Sequence, residues 1–194
     1  MAVNNHEFLN ARRRMRNFFD TEISMYVLPD IDRLTNEIRP DSRGLGGCTV
    51  PLAMMLFALI DLFGFLRRSD EGANKTDTRR NFEYLLSESD YFPGIYAENW
   101  ERILKLFRHG VIHQFFPKAS GIAKAGENRP LIYEENNIPV LNIDILSRDL
   151  VSAISQIKRG VVQGNDQELI VRMNGRLDSL AKDDYQDLDK LGRA

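Results

Sequence analysis

Three side chains near the middle of the chain have the residue types and spacing that acid–base chemistry on a phosphate requires. They are Arg108, His109 and His113, and the only tryptophan, Trp100, precedes them. A histidine titrates near neutral pH and can donate or accept a proton. A guanidinium stays charged and can hydrogen-bond to two phosphate oxygens at once. Displacement at a phosphate needs a proton acceptor, a proton donor and positive charge near the phosphoryl oxygens.

The three side chains lie near the C-terminal end of a predicted helix. Apolar residues recur at helical spacing from about residue 96 to residue 116, and Pro117 ends the run. On a regular helix Arg108 and His113 are about 140° apart, a gap that a site built from two copies of the helix would tolerate. A purely structural alternative is that Arg108 and His109 interact with the negative end of the helix dipole while His113 packs or caps.

A zinc site is a second alternative for the two histidines. His109 and His113 are four residues apart, which places both rings on one face of a helix at a usable ligand spacing. A third ligand would have to come from elsewhere in the chain, and the candidates have no spacing that favours them: Cys48, Asp61, Glu98 and Glu101. The sequence therefore predicts no metal and no other cofactor.

Length and charge limit the class of protein. The chain has 194 residues, enough for one domain with a sizeable core, and a formal net charge of −2. Nucleic acid would therefore have to bind at a local basic patch, for which Lys105, Lys118 and Lys124 are the candidates. The N-terminus has no basic stretch followed by an apolar core, which predicts a cytoplasmic protein without a signal peptide.

The first half of the chain predicts helices separated by polar loops. Residues 4–38 have helical periodicity, with Pro29 expected to kink or split the run. Within it, the arginines of residues 12–16 are expected on a solvated face with local acidic partners. A Gly-rich loop at 44–47 follows; it could cradle a phosphate or be a plain connection, and Thr49 is expected to cap the next helix.

Residues 51–68 form the most apolar segment. The run is shorter than the roughly 20 residues of a membrane span, and Asp61 interrupts it. A helix that is apolar nearly all round belongs inside a core or at a subunit interface. Gly64 would let another helix approach closely, and a partly buried Asp61 would need a partner, for which an arginine is the natural candidate. No membrane association is predicted.

The second half predicts a change of structure after Pro117. A helix from residue 76 or 77 to about 87 precedes the motif helix, and short strands are expected at 119–124, 131–133 and 139–142, as an antiparallel flap. Asp144 is expected to cap a following helix, and a last amphipathic helix covers residues 169–180. The predicted fold is thus mostly α, a single domain with five to seven helices. Its parts are a bundle over about 4–116, a flap over about 118–143 and C-terminal helices over about 144–190.

The segment Arg108-His-Gly-Val-Ile-His113 resembles the signature of the HEPN superfamily, in which an arginine and a polar residue are followed by a short spacer and a histidine. The resemblance implies a helical bundle that dimerises with two motif helices facing each other. It also implies a metal-independent endoribonuclease, often a toxin or defence effector with a protein antitoxin. Arg108 would hold the scissile phosphate, His113 would be the general acid or base, and His109 would support it.

Two other functions are compatible with the same sequence. One is a non-catalytic HEPN-like dimer that binds nucleotide, nucleic acid or a protein partner in the same cleft. The other is a structural or regulatory domain without a small ligand. The geometry of Arg108 and His113 would distinguish these functions. Catalysis requires that both side chains are accessible to solvent and lie close to their symmetry copies across a two-fold axis.

Overall fold

The computed structural model describes residues 4–42, 46–70, 74–114 and 119–191, and the side chains of residues 112–114 and 183–191 are outside the description as well. Phe115, Pro117, Lys118 and part of the Gly-rich loop therefore lie outside the described residues. His113 is described only as a position in the backbone of its helix.

Six helical runs and one small sheet make up the described chain, which confirms the mostly α prediction. The first run consists of α1 (Asn5–Asn17), a π-helical segment (Phe18–Val27), α2 (Leu28–Asp32) and a second π-helical segment (Arg33–Glu37). The next two are α3 (Thr49–Arg67) and α4 (Thr78–Glu83), the latter extended by a π-helical segment (Tyr84–Glu88). The motif helix (residues 94–114) consists of α5 (Gly94–Arg102), a π-helical segment (Ile103–Arg108) and α6 (His109–Gln114). The last two are α7 (Ile143–Gln163) and α8 (Gln167–Leu191).

Pro29 does not end the first run. It lies in the first turn of α2, directly after a π-helical segment in which the Leu28 N–H donates to the Ile23 carbonyl. Proline lacks an N–H donor and is tolerated at the start of a helical segment, where that donor is not needed. The hydrogen bonds of the run alternate between the α-helical and the π-helical pattern, while every residue from 5 to 37 stays helical.

The apolar helix α3 lies at the centre of the fold, as its composition predicts. It contacts α4, α6, α7, α8 and strand β1 (Gly121–Ala123), and most of its large side chains are buried. Among the described helices, α3 alone is long and apolar enough to cross a membrane, with a mean hydropathy of 2.1 over its most apolar window. A buried core helix passes the same test, and more than half of that window is buried here.

Gly64 permits the closest contact of α3. A Cβ atom added there would lie 2.1 Å from the backbone oxygen of Asn81 in α4. That distance is far below van der Waals contact, so only glycine allows α4 to pack at this depth. The sequence prediction of a close helix approach at Gly64 is confirmed.

Partly buried arginines connect the ends of helices to distant parts of the chain. Arg176 of α8 donates to the carbonyls of Phe65 and Arg68 at the end of α3, at 2.6 and 2.7 Å. Arg12 of α1 donates to Val162 and Gly164 at the end of α7. The expectation of a solvated arginine face with local partners is wrong for Arg12, which satisfies helix-terminal carbonyls that have no intrahelical donor.

The small sheet follows the motif helix and has the strand order β1–β3–β2, where β2 is Ile132–Glu135 and β3 is Ile138–Asn142. β2 and β3 form an antiparallel hairpin whose two-residue turn has both residues, Asn136 and Asn137, at positive φ. β1 pairs parallel to β3, with Gly121 opposite Val140. The predicted all-antiparallel flap is therefore wrong for β1.

The buried side chain of Asn142 holds the chain between β1 and β2 at two points. The amide of Asn142 donates to the carbonyls of Gly126 and Arg129 at 2.7 and 3.0 Å. Its carbonyl oxygen accepts from the Asp144 N–H at 3.2 Å. Asn142 therefore caps α7, and the prediction that Asp144 is the cap is wrong. Similarly, α3 begins at Thr49 without a side-chain cap, after Cys48 in the left-handed region.

Candidate active site at Arg108

The motif helix places Arg108 and His109 at the border between core and surface. Ile103, Leu104, Phe107 and Val111 are buried on its inner side. The side chains of Arg108 and His109 are partly exposed. Because the apolar residues fix the rotation of the helix, Arg108 and His109 have defined positions at the edge of the bundle.

Arg108 belongs to a polar network centred on Asp61. Its Nη2 lies 3.6 Å from Asp61 Oδ2 and donates to Thr78 Oγ1 at 3.3 Å. The Arg108 and Asp61 side chains are 17% and 22% exposed, so the pair is shielded from solvent without being fully buried. The expected arginine partner of Asp61 is thus present, and it is the arginine of the motif.

Two residues of α4 complete the network. Thr78 Oγ1 donates to Asp61 Oδ2 at 2.8 Å, and Asn81 Nδ2 donates to Asp61 Oδ1 at 2.6 Å. Both oxygens of the carboxylate therefore accept hydrogen bonds, which satisfies a charge in a largely apolar helix. The Arg108 guanidinium is thereby held between three helices rather than extended into solvent.

Beside this network is an open cleft, the Arg108 cleft, with a volume of about 470 Å³. Its polar lining consists of Asp61, Lys75, Thr76 and Arg108. Its apolar lining comes from α3 and α8: Phe57, Ala58, Leu62, Phe65 and Leu180. The polar side of the cleft has two cations and a hydroxyl beside one carboxylate, which suits an anion. The apolar side suits a flat group.

The remaining predicted site residues are placed as follows. Lys105 is exposed and pairs with Glu101 at 2.9 Å, and this hydrogen bond is the main cause that lowers the pKa of the Glu101 carboxyl. Lys124 donates to the carbonyls of Leu34 and Ile38 at the end of the first helical run. Burial lowers the pKa of Lys124. The structure thus gives Lys124 a capping contact, while Lys118 and the His113 side chain lie outside the described residues.

Sequence reasoning did not find Lys75, Thr78 and Asn81 as members of the site. They are ordinary polar residues at the start of a helix, where Asp77 supplies the cap by accepting from the Arg80 N–H at 3.2 Å. The only signal in the sequence was Asp61 itself, because a carboxylate in an apolar helix requires partners. Among the described side chains no group of three His, Cys, Asp or Glu is placed to hold a metal ion.

Comparison with known proteins returned no matching family model, no matching curated protein and no matching solved structure. The HEPN resemblance therefore rests on Arg108, His109 and His113 and on the helical architecture alone.

Proposed function

We propose that this chain is a HEPN-like, metal-independent endoribonuclease whose reaction takes place beside Arg108. The observation that supports the proposal is the placement of Arg108 on the wall of an open cleft, with its guanidinium oriented by Asp61 and Thr78. A guanidinium has five N–H donors. Two contacts at Nη2 are therefore compatible with a phosphate at the other donors.

The reaction would use the 2′-hydroxyl of RNA as the nucleophile. One histidine removes the proton of that hydroxyl as its oxygen attacks phosphorus, and the bond from phosphorus to the 5′-oxygen breaks. A second histidine protonates the leaving 5′-oxygen. The products are a 2′,3′-cyclic phosphate and a 5′-hydroxyl. His113 is the proposed acid or base, with His109 supporting it in the first turn of α6.

A symmetric dimer would supply two copies of each group. If two motif helices face each other, one His113 acts as base and the other as acid, and Arg108 neutralises charge on the phosphoryl oxygens. In a toxin or defence module, a protein antitoxin would act by covering this cleft. Dimer, RNA substrate and antitoxin are all parts of the proposal.

A basic and aromatic surface on the motif helix would help RNA to bind. Lys105 and Arg79 are exposed and both pair with Glu101, and the Arg79 guanidinium lies 5.5 Å from the centre of the Trp100 ring. Exposed cations attract the phosphate backbone in a salt-dependent way, and an aromatic ring can stack on a base. Arg79 and Trp100 join Lys105 as proposed contacts.

A second candidate is a non-catalytic helical protein that binds its ligand in the same cleft. The observation in its favour is that Asp61 already neutralises Arg108 and uses part of its hydrogen-bonding capacity. In that case the cleft would bind nucleotide, nucleic acid or a protein segment without turnover.

Cleavage of a mixed RNA pool in EDTA by the purified full chain tests the proposal. We expect metal-independent cutting of RNA, no cutting of DNA of the same sequence, and products that end in a cyclic phosphate and a 5′-hydroxyl. Cutting of both RNA and DNA, or products with a 5′-phosphate, would contradict attack by the 2′-hydroxyl. Binding of RNA without any cutting would favour the non-catalytic protein.

A further inference from the structure

A second cavity, the α7 cavity, lies between the end of the first helical run, the loop before β2 and the first half of α7. Its volume is about 530 Å³, within the range of small-molecule sites. Its apolar wall consists of Leu28, Ile31 and Val151. Among the described residues it shares no lining residue with the Arg108 cleft.

The charged lining of this cavity is acidic on balance. Three carboxylates line it, those of Asp32, Glu127 and Asp144, against two guanidinium groups, those of Arg39 and Arg148. The difference, two positive minus three negative, is a net charge of −1. The ammonium group of Lys124 lies close enough to interact with Asp144 and Arg39, so the preference for a cation depends on how the individual charges are paired rather than on the net charge.

Both arginines are already paired with carboxylates. Arg39 Nη1 lies 3.0 Å from Asp144 Oδ2, and Arg148 pairs with Glu127 at 3.2 Å and with Asp149 at 2.9 Å. An anionic ligand would have to displace these carboxylates from the arginines. An ammonium group would instead add to the carboxylates without breaking either pair.

Asp144 is the residue of this wall with hydrogen-bonding capacity left over. Its side chain is only 8% exposed, and Oδ2 accepts both from Arg39 and from the Gly126 N–H at 2.9 Å. Its other oxygen, Oδ1, is buried without a hydrogen-bond partner. A buried carboxylate oxygen without a donor leaves negative charge without compensation, and a cation in the adjoining cavity would offset that charge.

Two hydroxyl groups line the same cavity as this carboxylate. Thr35 Oγ1 and Ser147 Oγ are hydrogen-bonded to each other at 2.9 Å and both residues line the cavity. Each hydroxyl oxygen has two lone pairs, so the pair can still accept from a ligand. An ammonium group with three donors matches these acceptors together with Asp144.

We propose that the α7 cavity binds a small organic amine, with its ammonium group at Asp144 and the Thr35–Ser147 pair and its apolar body against Leu28, Ile31 and Val151. This site goes beyond the proposed nuclease and does not depend on it. A chain without ribonuclease activity could still bind the amine, and a chain that does not bind the amine could still be a ribonuclease.

Chemical-shift titration of the ¹⁵N-labelled full chain with three probes that share a phenylethyl group tests the proposal. The probes are 2-phenylethylamine, 2-phenylethanol and 3-phenylpropionate, which differ in the charge of the polar end. We expect saturable shifts with the amine at a Kd of about 1 mM or below, and binding of the alcohol and the carboxylate that is weaker by about tenfold or more. Equal binding of the three probes, or none by the amine, would overturn the proposal.

Variants then locate the site. Val151→Phe fills the cavity and Asp144→Asn removes the carboxylate charge, and each should weaken the amine by about tenfold or more. Glu98→Gln removes an exposed carboxylate outside the cavity and should leave the amine Kd unchanged. A melting curve accompanies each variant, so that Val151→Phe can still be judged if Asp144→Asn fails to fold. Unchanged binding in a folded cavity variant would place the amine elsewhere and overturn the proposal.

Discussion

Asp61 is the one charged side chain between Pro51 and Leu66. Together with Thr78 it fixes the orientation of the Arg108 guanidinium at the edge of the cleft. Its carboxylate accepts from Thr78 and Asn81 and lies beside the guanidinium of Arg108. A carboxylate in an apolar helix predicted an arginine partner. The sequence could not indicate which of many arginines would be that partner, because Arg108 is distant along the chain and reaches Asp61 only through helix packing.

Removal of the Asp61 carboxylate should destabilise the fold. We expect Asp61→Ala to lower the free energy of unfolding by about 2–3 kcal/mol, because the buried donors of Thr78 and Asn81 and the Arg108 charge lose their acceptor. Asp61→Asn keeps one acceptor and should cost less. Urea denaturation measures both, with Asp20→Ala as the control: Asp20 is an exposed partner of Lys158, and its loss should change little. Equal effects of Asp61→Ala and Asp20→Ala would contradict the network.

Tyr96 gives a prediction about pH. Its hydroxyl donates to Asp149 Oδ2 at 2.9 Å, and burial, with the Asp149 charge as a second cause, raises the pKa of the phenol. The unfolded chain ionises this tyrosine near its ordinary pKa of about 10, whereas the folded chain retains the proton. Unfolding above that pH therefore releases a proton, and stability should fall as pH rises.

Comparison of wild type with Tyr96→Phe isolates this effect. Below pH 9 the variant should be less stable by about 1–2 kcal/mol, because it loses a hydrogen bond to a charged group. Above pH 10 the difference should shrink by up to about 1.4 kcal/mol per pH unit. Urea titrations from pH 8 to 11 provide the measurement. Two parallel stability curves would show that Tyr96 titrates normally in the folded protein.

At the scale of the elements, the helices and the approximate positions of the three strands follow from local patterns, whereas the parallel pairing of β1 does not. The apolar run of α3, the Asp77 cap of α4 and the buried stripe of the motif helix are all readable from neighbouring residues. The parallel pairing of β1 with β3 depends on the path of the loop after β1. Asn142, which is distant from this loop in the sequence, fixes that path by its hydrogen bonds to Gly126 and Arg129. Asn142 and Asp144 are both good capping residues, so the sequence alone did not distinguish them.

Gly64 should tolerate alanine poorly. The added Cβ would meet the Asn81 backbone oxygen at 2.1 Å, so α4 must move away and weaken the Asn81–Asp61 hydrogen bond. We expect Gly64→Ala to destabilise the protein by about 2 kcal/mol or more. Gly160→Ala is the matched control: nothing lies near its Cβ, and alanine should stabilise α7 by about 0.5–1 kcal/mol. Opposite signs in thermal denaturation would confirm the close approach; equal signs would contradict it.

For the whole molecule, a net charge of −2 means that the proposed RNA substrate would have to be attracted by a local surface. Lys105 and Arg79 form such a surface on the motif helix and α4. We expect the double variant Lys105→Ala/Arg79→Ala to bind RNA more weakly and with a smaller salt dependence than wild type. Lys158→Ala, on the pair with Asp20, is the control and should leave the salt dependence unchanged. Identical salt slopes for the double variant and wild type would exclude this surface as the RNA contact.

A dimeric site makes a separate prediction about mixtures. If each reaction needs one His113 from each subunit, a heterodimer of wild type and His113→Ala is inactive. After subunits exchange, activity should follow the square of the wild-type fraction, whereas independent subunits give a linear dependence. Cleavage of a fixed RNA at several mixing ratios distinguishes the two. A linear result, or a monomer by light scattering, would contradict the shared site.

The proposed reaction requires His113 as its acid or base. The direct test is the cleavage rate in EDTA of wild type, His113→Ala and His6→Ala, purified in parallel and shown by melting to be folded. His6 lies on the exposed face of α1 and contacts Asn10, so it is a matched control for the loss of an imidazole. We expect wild type and His6→Ala to cut RNA at the same rate, and the cleavage rate of His113→Ala to be lower by at least about a hundredfold. Equal cutting by all three proteins would contradict it.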